Sequence, residues 1–367
     1  MVPMAAWLTV VIPAHNAEQY LAECLNSILP IKEYTNKIIL IDDCSSDKTA
    51  IVAEQWKDNN NIPLTVIRNE ANLGPSASRN IGIKLADSSH IMFLDSDDTL
   101  TQEIADFLER GKKFDYTCSV HNQVRFDPSG KEIQSSTNYC GLRLSENRDE
   151  EIYKRVELQK YLHNYLRLPR EFCLLEHCWG RLYRAEIIAD NQIIFTESAN
   201  QLEDVEFNLK YLSHVNQIAI YLKPIYNHML RVSNRRLSNQ AGLSDDAVDR
   251  LYIVSSQVAG LLRGYLDEQI INLEVKKFLA SKISGYIAKL CLINEASWQR
   301  KVSLEHLMNT YHNNKFWEYI ELREDESQTM QYMLKIHAPI QLISIFMRLR
   351  KKIHSAAGSL RACFMPR

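Results

Sequence analysis

The run Phe93-Leu-Asp-Ser-Asp-Asp98 ends an apolar stretch with three carboxylates. Carboxylates two apart in a turn can converge on one hard cation, and Mg²⁺ or Mn²⁺ held by one or two carboxylates usually completes its shell with substrate phosphates. Asp95 and Asp97 are therefore candidate ligands for such an ion, with a diphosphate as the expected partner. Asp and Ser also favour turns and helix starts, so a capped turn competes with this reading.

Further groups could act with that turn. Ile41-Asp-Asp-Cys-Ser-Ser-Asp-Lys-Thr49 ends another apolar run. An acidic residue so placed accepts hydrogen bonds from a base N–H or from ribose hydroxyls, as at dinucleotide sites. Asp42 and Asp43 are the candidates, while Asp47 reads as a helix cap. Asn69 to Gly82 is a Gly-containing loop opening onto a helix of small residues, from which Arg79 can reach the carboxylates. The loop has no Gly-Lys-Ser/Thr, which argues against a kinase or ATPase. Glu203 and Asp204 form a pair, and a carboxylate with a partly raised pKa can take the proton from a hydroxyl within hydrogen-bond reach. The same pair also suits the first turn of a helix, where the dipole favours acids. His228, Arg231, Arg235 and Arg236 lie on one basic stretch that could close over a diphosphate, with His228 as a third metal ligand. A solvated basic loop is the alternative.

These residues need elements to hold them. Leu8 to Ile12 and Lys37 to Ile41 read as buried parallel strands, Leu64 to Ile67 and His90 to Leu94 as a third and fourth. Apolar positions at helical spacing predict helices over Ala17 to Leu29, Ser45 to Trp56 and Ser76 to Leu85. This alternation predicts an α/β doubly wound sheet whose ligands bind at the carboxyl ends of the strands. That rule singles out three places, Pro13 to Asn16, Asp42 to Asp47 and Asp95 to Asp98. Tyr116 to Asn147 turns polar and reads as a hairpin or excursion from the sheet, and Asp245 to about Tyr319 as a helical appendage.

The ordered set Val11-Ile-Pro-Ala-His-Asn16, Asp42-Asp-x-Ser-x-Asp-x-Thr49, Asn72-x-Gly-x-x-x-x-Arg-Asn-x-Gly82 and Leu94-Asp-Ser-Asp-Asp98 resembles glycosyltransferase family 2. Cys178-Trp-Gly-Arg-Leu-Tyr-Arg184 is similar to the Trp-x-Lys-Leu-Tyr-Arg segment of members that build bacterial capsule, lipopolysaccharide and teichoic acid, with Arg181 in place of Lys. Gln201 to Phe207 resembles their Glu-Asp motif, and Ile225 to Ser238 their basic loop. The resemblance implies a GT-A fold with a mixed sheet, and inverting transfer from a nucleotide sugar, UDP by family frequency, to a glycan or lipid-linked hydroxyl. On that pattern Asp42 or Asp43 meets the base, Asp95 the ribose and Asp97 the Mn²⁺ or Mg²⁺ ion. Pro13, His15, Asn16, Arg79, Ser96, Trp179, Arg231 and Arg235 complete the nucleotide-sugar site, with Asp204 as base and Glu203 orienting the acceptor. The implied organisation is a GT-A domain over 1–240, split at 115 into nucleotide and acceptor halves, then a helical region over 241–334 and a basic tail over 335–367.

Rival functions are a non-catalytic carbohydrate-binding scaffold of the same fold and a sugar nucleotidyltransferase. The latter needs a Gly-rich basic loop after the first strand, and Pro13-Ala-His-Asn16 is not one. Composition is that of a globular protein, 46% hydrophobic and 24% charged. Eight scattered cysteines without a Cys-x-x-Cys pair fit a reducing cytosol better than a disulfide framework. No nucleic-acid partner is expected. Net charge is −2, yet no acidic residue follows Glu326, while Lys335, Arg348, Arg350, Lys351, Lys352, Arg361 and Arg367 do. With Ile340, Ile343, Phe346 and Met347 on one helical face, the tail predicts peripheral attachment to the inner face of an anionic membrane, a helix packed on the body or a homodimer contact being the competing uses.

Overall fold

The computed structural model describes residues 6–60, 62–127, 129–138, 150–167, 173–197, 202–215, 217–231 and 247–292, together with 310, 313 and 314. The chain divides into two units, Met1–Gln240 and Ala241–Arg367.

In the first unit, β1 (Leu8–Ala14) is buried at every position, the pattern of a strand covered on both faces. It runs parallel to β2 (Thr35–Asp42) and β4 (His90–Phe93), and β2 runs parallel to β3 (Leu64–Arg68). Helices α1 (Leu21–Asn26), α2 (Thr49–Asn59) and α3 (Pro75–Leu85) connect these strands. Pro30 shortens the first: the chain leaves the α-helix at Asn26 and makes a 3-10 turn over Leu29–Ile31. Helix α3 lies close on β1, because a Cβ added to Gly82 would come within 2.2 Å of Val11 Cγ1.

The rest of the unit builds onto that half. After β5 (Thr99–Leu100) and α4 (Ile104–Gly111) come β6 (Tyr116–Ser119), β7 (His121–Phe126), β8 (Glu132–Asn138), β9 (Glu150–Lys154) and α5 (Arg155–Arg167). Next are β10 (Arg181–Arg184), α6 (Ala185–Asp190), α7 (Glu203–Leu212), β11 (Gln217–Tyr221) and β12 (Tyr226–Leu230). The main sheet has eight strands in the order β3-β2-β1-β4-β10-β6-β11-β9, and a second has four, β5-β12-β7-β8. The main sheet is mixed, since β10 runs antiparallel to both β4 and β6.

The polar stretch from Tyr116 corrects one expectation. Tyr116–Ser119 is an inner strand of the main sheet, and the excursion begins only at His121. The polar letters misled because Thr117 and Ser119 are buried, with the Thr117 hydroxyl donating to the Gly111 carbonyl. Residues 139–147 of that stretch lie outside the described residues.

The described part of the second unit is two helices, α8 (Ala247–Leu262) and α9 (Glu268–Leu292), separated by a turn with Gly264 at φ 81°. Val248, Leu251, Val254, Val258 and Leu262 are buried on the first, and Ile271, Phe278, Leu279 and Ile283 on the second. Among the described residues no helix is long and apolar enough to cross a membrane. The tail over 335–367 lies outside the described residues.

Candidate active site

The chain leaves β4 at Phe93 and turns through Asp95 to Asp98 before β5. Tyr226 of β12 donates its hydroxyl to Asp98 Oδ2 at 2.8 Å, and the Met229 N–H donates to Asp98 Oδ1 at 2.7 Å. The Asp95 N–H donates to the same Tyr226 oxygen at 3.2 Å. Burial, then the neighbouring charges of Asp97 and Asp95, hold the Asp98 carboxyl well above the usual carboxylate range. Asp98 thus ties the turn to β12, while Asp95, 27% exposed at its side chain, and Asp97 remain half open.

The strand ends beside this turn are closely braced. Pro13 is buried within β1, and His15 and Asn16 are exposed just past its end. His15 Nδ1 lies 2.8 Å from the Asp43 carbonyl, which can only accept, so Nδ1 carries the proton and Nε2 accepts from Asn16 and Asn72. Asn16 sits at φ 51°, a left-handed conformation its short side chain tolerates, and its Oδ1 accepts from the Ser46 N–H at 2.9 Å. Asp42 is closed to solvent: Oδ1 accepts from the Ser45 N–H, and Oδ2 lies 3.4 Å from Arg68. Asp43 accepts from Asn69 Nδ2, the Leu73 N–H and the Gly74 N–H at 2.7 to 2.9 Å. Both aspartates therefore fasten loops around the end of β2. Asp47 precedes the cap residue of α2 and accepts from the Thr49 N–H at 2.9 Å. Ser96 is buried in the carboxylate turn.

Arg79 joins the two halves of the unit. Projecting from α3, its Nη2 donates to Asp95 Oδ1 at 2.9 Å and its Nη1 to Asp204 Oδ1 at 3.4 Å, with the guanidinium 5.4 Å from the centre of the Phe195 ring. Asp204 occupies the first turn of α7, beside half-buried Glu203, and its Oδ2 accepts from the Cys178 N–H at 3.1 Å. Burial pushes the Asp204 carboxyl up, Arg79 pulls it down and Asp95 pushes it up again, and the net displacement is upward. One carboxylate in the first helical turn is thus held on both oxygens, with its protonation set by the site.

Trp179 is the middle of a stack, with His177 on one face at 4.2 Å and Tyr226 on the other at 4.2 Å. With both faces covered and 3% exposure, it packs the floor of the site and leaves no face for a ring of a ligand. His121 and His228 approach it at 4.8 and 5.3 Å. Burial, Arg181 and His228 lower His121 to about 3, and burial lowers His228 against the opposing pull of Asp95. Arg231 is 9% exposed, against the rings of Tyr20 at 4.1 Å and Phe126 at 5.2 Å, donates to the Asp97 carbonyl and lies 3.6 Å from Glu23. Arg235 and Arg236 lie outside the described residues.

The geometry brings in residues to which the sequence assigned no role. Tyr226 and Cys178 sit inside quoted segments, but their contacts with Asp98 and Asp204 span 128 and 26 positions, and no local spacing signals them. Glu23 and Tyr20, on and just before α1, meet Arg231 across more than 200 positions, and no local spacing signals that contact.

Residues 9–188 match the family model described as glycosyl transferase family 2. The poly(ribitol-phosphate) beta-N-acetylglucosaminyltransferase TarS of Staphylococcus aureus strain MW2 is 22% identical over 296 residues, which cover 79% of this chain and 47% of TarS. A poly(ribitol-phosphate) beta-glucosyltransferase of Bacillus spizizenii is 25% identical over 235 residues, 63% of this chain and 33% of that protein. The chain therefore spans about half the length of the TarS relatives it matches, or less for the second. A crystal structure of S. aureus TarS 1–349 in complex with UDP-GlcNAc is similar with a TM-score of 0.63 at 18% identity, over 95% of this chain and 92% of that one. That likeness supports the GT-A architecture, a mixed central sheet followed by helices, that the described residues show. Four motifs in order, the sheet that carries them and the match over residues 9–188 agree, and the chain belongs to glycosyltransferase family 2.

Proposed function

We propose that this chain transfers a sugar, with inversion at the anomeric carbon, from a UDP-sugar to a hydroxyl of a cell-wall polymer. The observation that carries the reading is Arg79 spanning Asp95 and Asp204, because it sets a donor-side carboxylate and a base within one guanidinium of each other. Names of the relatives point the same way: two act on poly(ribitol phosphate), and one TarS structure carries UDP-GlcNAc.

In this reading Asp43 and Asp42 shape the wall against the base, with His15, Asn16 and buried Pro13 beside them, and Asp95 and Ser96 meet the ribose. Arg79 offsets diphosphate charge as well as orienting Asp204. The donors fit a hard divalent ion: Asp97 and Asp95 offer oxygens, and His228 Nδ1 is a buried nitrogen without a hydrogen-bond partner. Among the described residues no three such groups are already gathered, so substrate phosphate oxygens would complete the shell. Mn²⁺ or Mg²⁺ held there would neutralise charge on the departing nucleoside diphosphate.

The chain's own residues carry the remaining work. Asp204, ionised and fixed through the Cys178 N–H, takes the proton of the acceptor hydroxyl as its oxygen attacks the anomeric carbon. The bond to the diphosphate oxygen breaks on the opposite face, and UDP leaves. Glu203, next to it in the first turn of α7, orients the acceptor. The cationic tail supports a place at an anionic membrane surface, which salt-sensitive co-sedimentation of the chain with phosphatidylserine vesicles tests.

UDP release from a panel of UDP-sugars, with ribitol-phosphate oligomers as acceptor, tests the function. Asp204→Asn and Asp97→Ala are each expected to abolish transfer, the second also weakening metal-dependent donor binding. Near-normal turnover by both would overturn the assignment.

A further inference from the structure

The four-stranded sheet has two faces with opposite hydrogen-bonding states. On one, Thr137 donates to Asn122 Oδ1, Asn122 to Asn227 Oδ1 and Asn227 to Thr99 Oγ1, at 2.9, 2.9 and 3.1 Å, so a polar ladder crosses all four strands. Every amide in that row is engaged. On the other face, alternation and register set His228, Gln123 and Ser136 in one row, and Leu230, Arg125 and Gln134 in the next. The side chains of Gln123, Arg125, Gln134 and Ser136 make no hydrogen bond or ion pair among the described residues.

That second face is the one turned to the site. Tyr226 and His121 belong to it, and Tyr226 reaches Asp95 and Asp98 while His121 and His228 pack against Trp179. Exposure rises outward from half-buried His228 and Gln123 to exposed Ser136. With neighbouring strands about 4.8 Å apart, the row runs roughly 10 Å from His228 to the outer strand.

We infer that this face of β12, β7 and β8 is the acceptor platform, and that its occupant is a polyol chain linked by phosphodiesters. The inference rests on the glycosyl-transfer reading above. Gln123 offers an amide donor and acceptor and Ser136 a hydroxyl, groups that pair with vicinal hydroxyls, and the row is neutral as a polyol requires. One row further on, Arg125 supplies a single planar cation for a phosphodiester oxygen. The face is continuous with the proposed donor site through His228, so an acceptor lying along it enters at the reacting end.

Binding of ribitol-phosphate oligomers to the full chain, measured by calorimetry with UDP present, tests this. The double variant Gln123→Ala/Ser136→Ala and the single variant Arg125→Gln are each expected to weaken oligomer binding about tenfold, leaving UDP binding and acceptor-independent UDP-sugar hydrolysis within twofold. Ser135→Ala, one position along β8 on the other face, should bind oligomer as wild type does. Wild-type affinity in the double variant overturns the platform, as does a wild-type chain that binds UDP and ignores the oligomer. A wild-type chain that does not bind UDP instead removes the glycosyl-transfer reading, and the platform with it.

Discussion

Arg79 Nη1 lies 3.4 Å from Asp204 Oδ1, so a side chain from the helix after β3 acts on the charge of a carboxylate 125 positions later. Burial and Asp95 favour the protonated acid, Arg79 favours the ionised one, and the balance is a raised pKa. A base works only when ionised. Activity is therefore expected to fall on acidification through an apparent pKa above that of an ordinary aspartate. Arg79→Met removes a cation that favours ionisation, so its acid limb should move to still higher pH. Profiles of kcat/KM for UDP release measure both, and an acid limb that moved down in the variant would separate Arg79 from the base.

Arg231 reads as a phosphate-binding residue in the sequence, and the fold packs it against other groups of the chain. Its guanidinium is committed to Tyr20, Phe126, Glu23 and the Asp97 carbonyl. Arg231→Ala should release the backbone of Asp97 and raise the Mn²⁺ concentration needed for half-maximal thermal stabilisation by UDP roughly tenfold. It should also cost about 1 to 3 kcal/mol of stability through lost buried contacts. An unchanged melting midpoint with a higher donor KM at saturating Mn²⁺ would return Arg231 to the phosphates.

The contrast between these two arginines explains what was legible. Asp42 and Asp95 stand at strand ends, and Arg79 on the helix that follows such an end, all defined by nearby apolar periodicity, so position along the chain already predicts position in space. Arg231 follows β12, whose partners are β5 and β7, and only that pairing reveals Tyr20 and Phe126 beside it. Trp179 shows the same limit: its motif marks it for the nucleotide-sugar site, but not that His177 and Tyr226, the latter 47 positions away, stack on its faces. Buried polar residues such as Thr117 and Ser119 hide an inner strand, because hydropathy cannot see the partners that satisfy them.

His90, at the start of β4, gives a pH dependence of folding distinct from that of catalysis. Burial and then Arg184 lower its pKa to about 4 from 6.5. Between those values the unfolded chain binds a proton that the folded chain refuses, so stability falls as pH drops from 6.5 toward 4, by up to roughly 3 kcal/mol. His90→Phe keeps a ring against Trp7, 4.9 Å away in the wild type, and cannot be protonated. Urea midpoints at pH 7 and pH 4.5 should differ less in the variant than in the wild type. An equal difference would assign the acid sensitivity to other groups, His121 among them.

Gly82 closes the motif that begins at Asn72, and the structure gives it a packing role. A Cβ there would lie 2.2 Å from Val11 Cγ1, inside any tolerable contact, and a tight 3.0 Å from Cγ2, and Val11 is fully buried in β1. Helix α3 would have to move off the sheet, and with it Arg79, three residues earlier on the same helix. Overpacking of this kind costs typically 1 to 3 kcal/mol, more than the helix propensity that alanine brings. Gly82→Ala should therefore lower the melting temperature and also reduce transfer, because Arg79 loses its reach to Asp95 and Asp204. Adding Val11→Ala vacates the clashing methyls, so the double variant should recover activity relative to Gly82→Ala despite its own small cavity. If Gly82→Ala melted as the wild type does, or if Val11→Ala only added to its loss, the close approach of α3 to β1 would not be what positions Arg79.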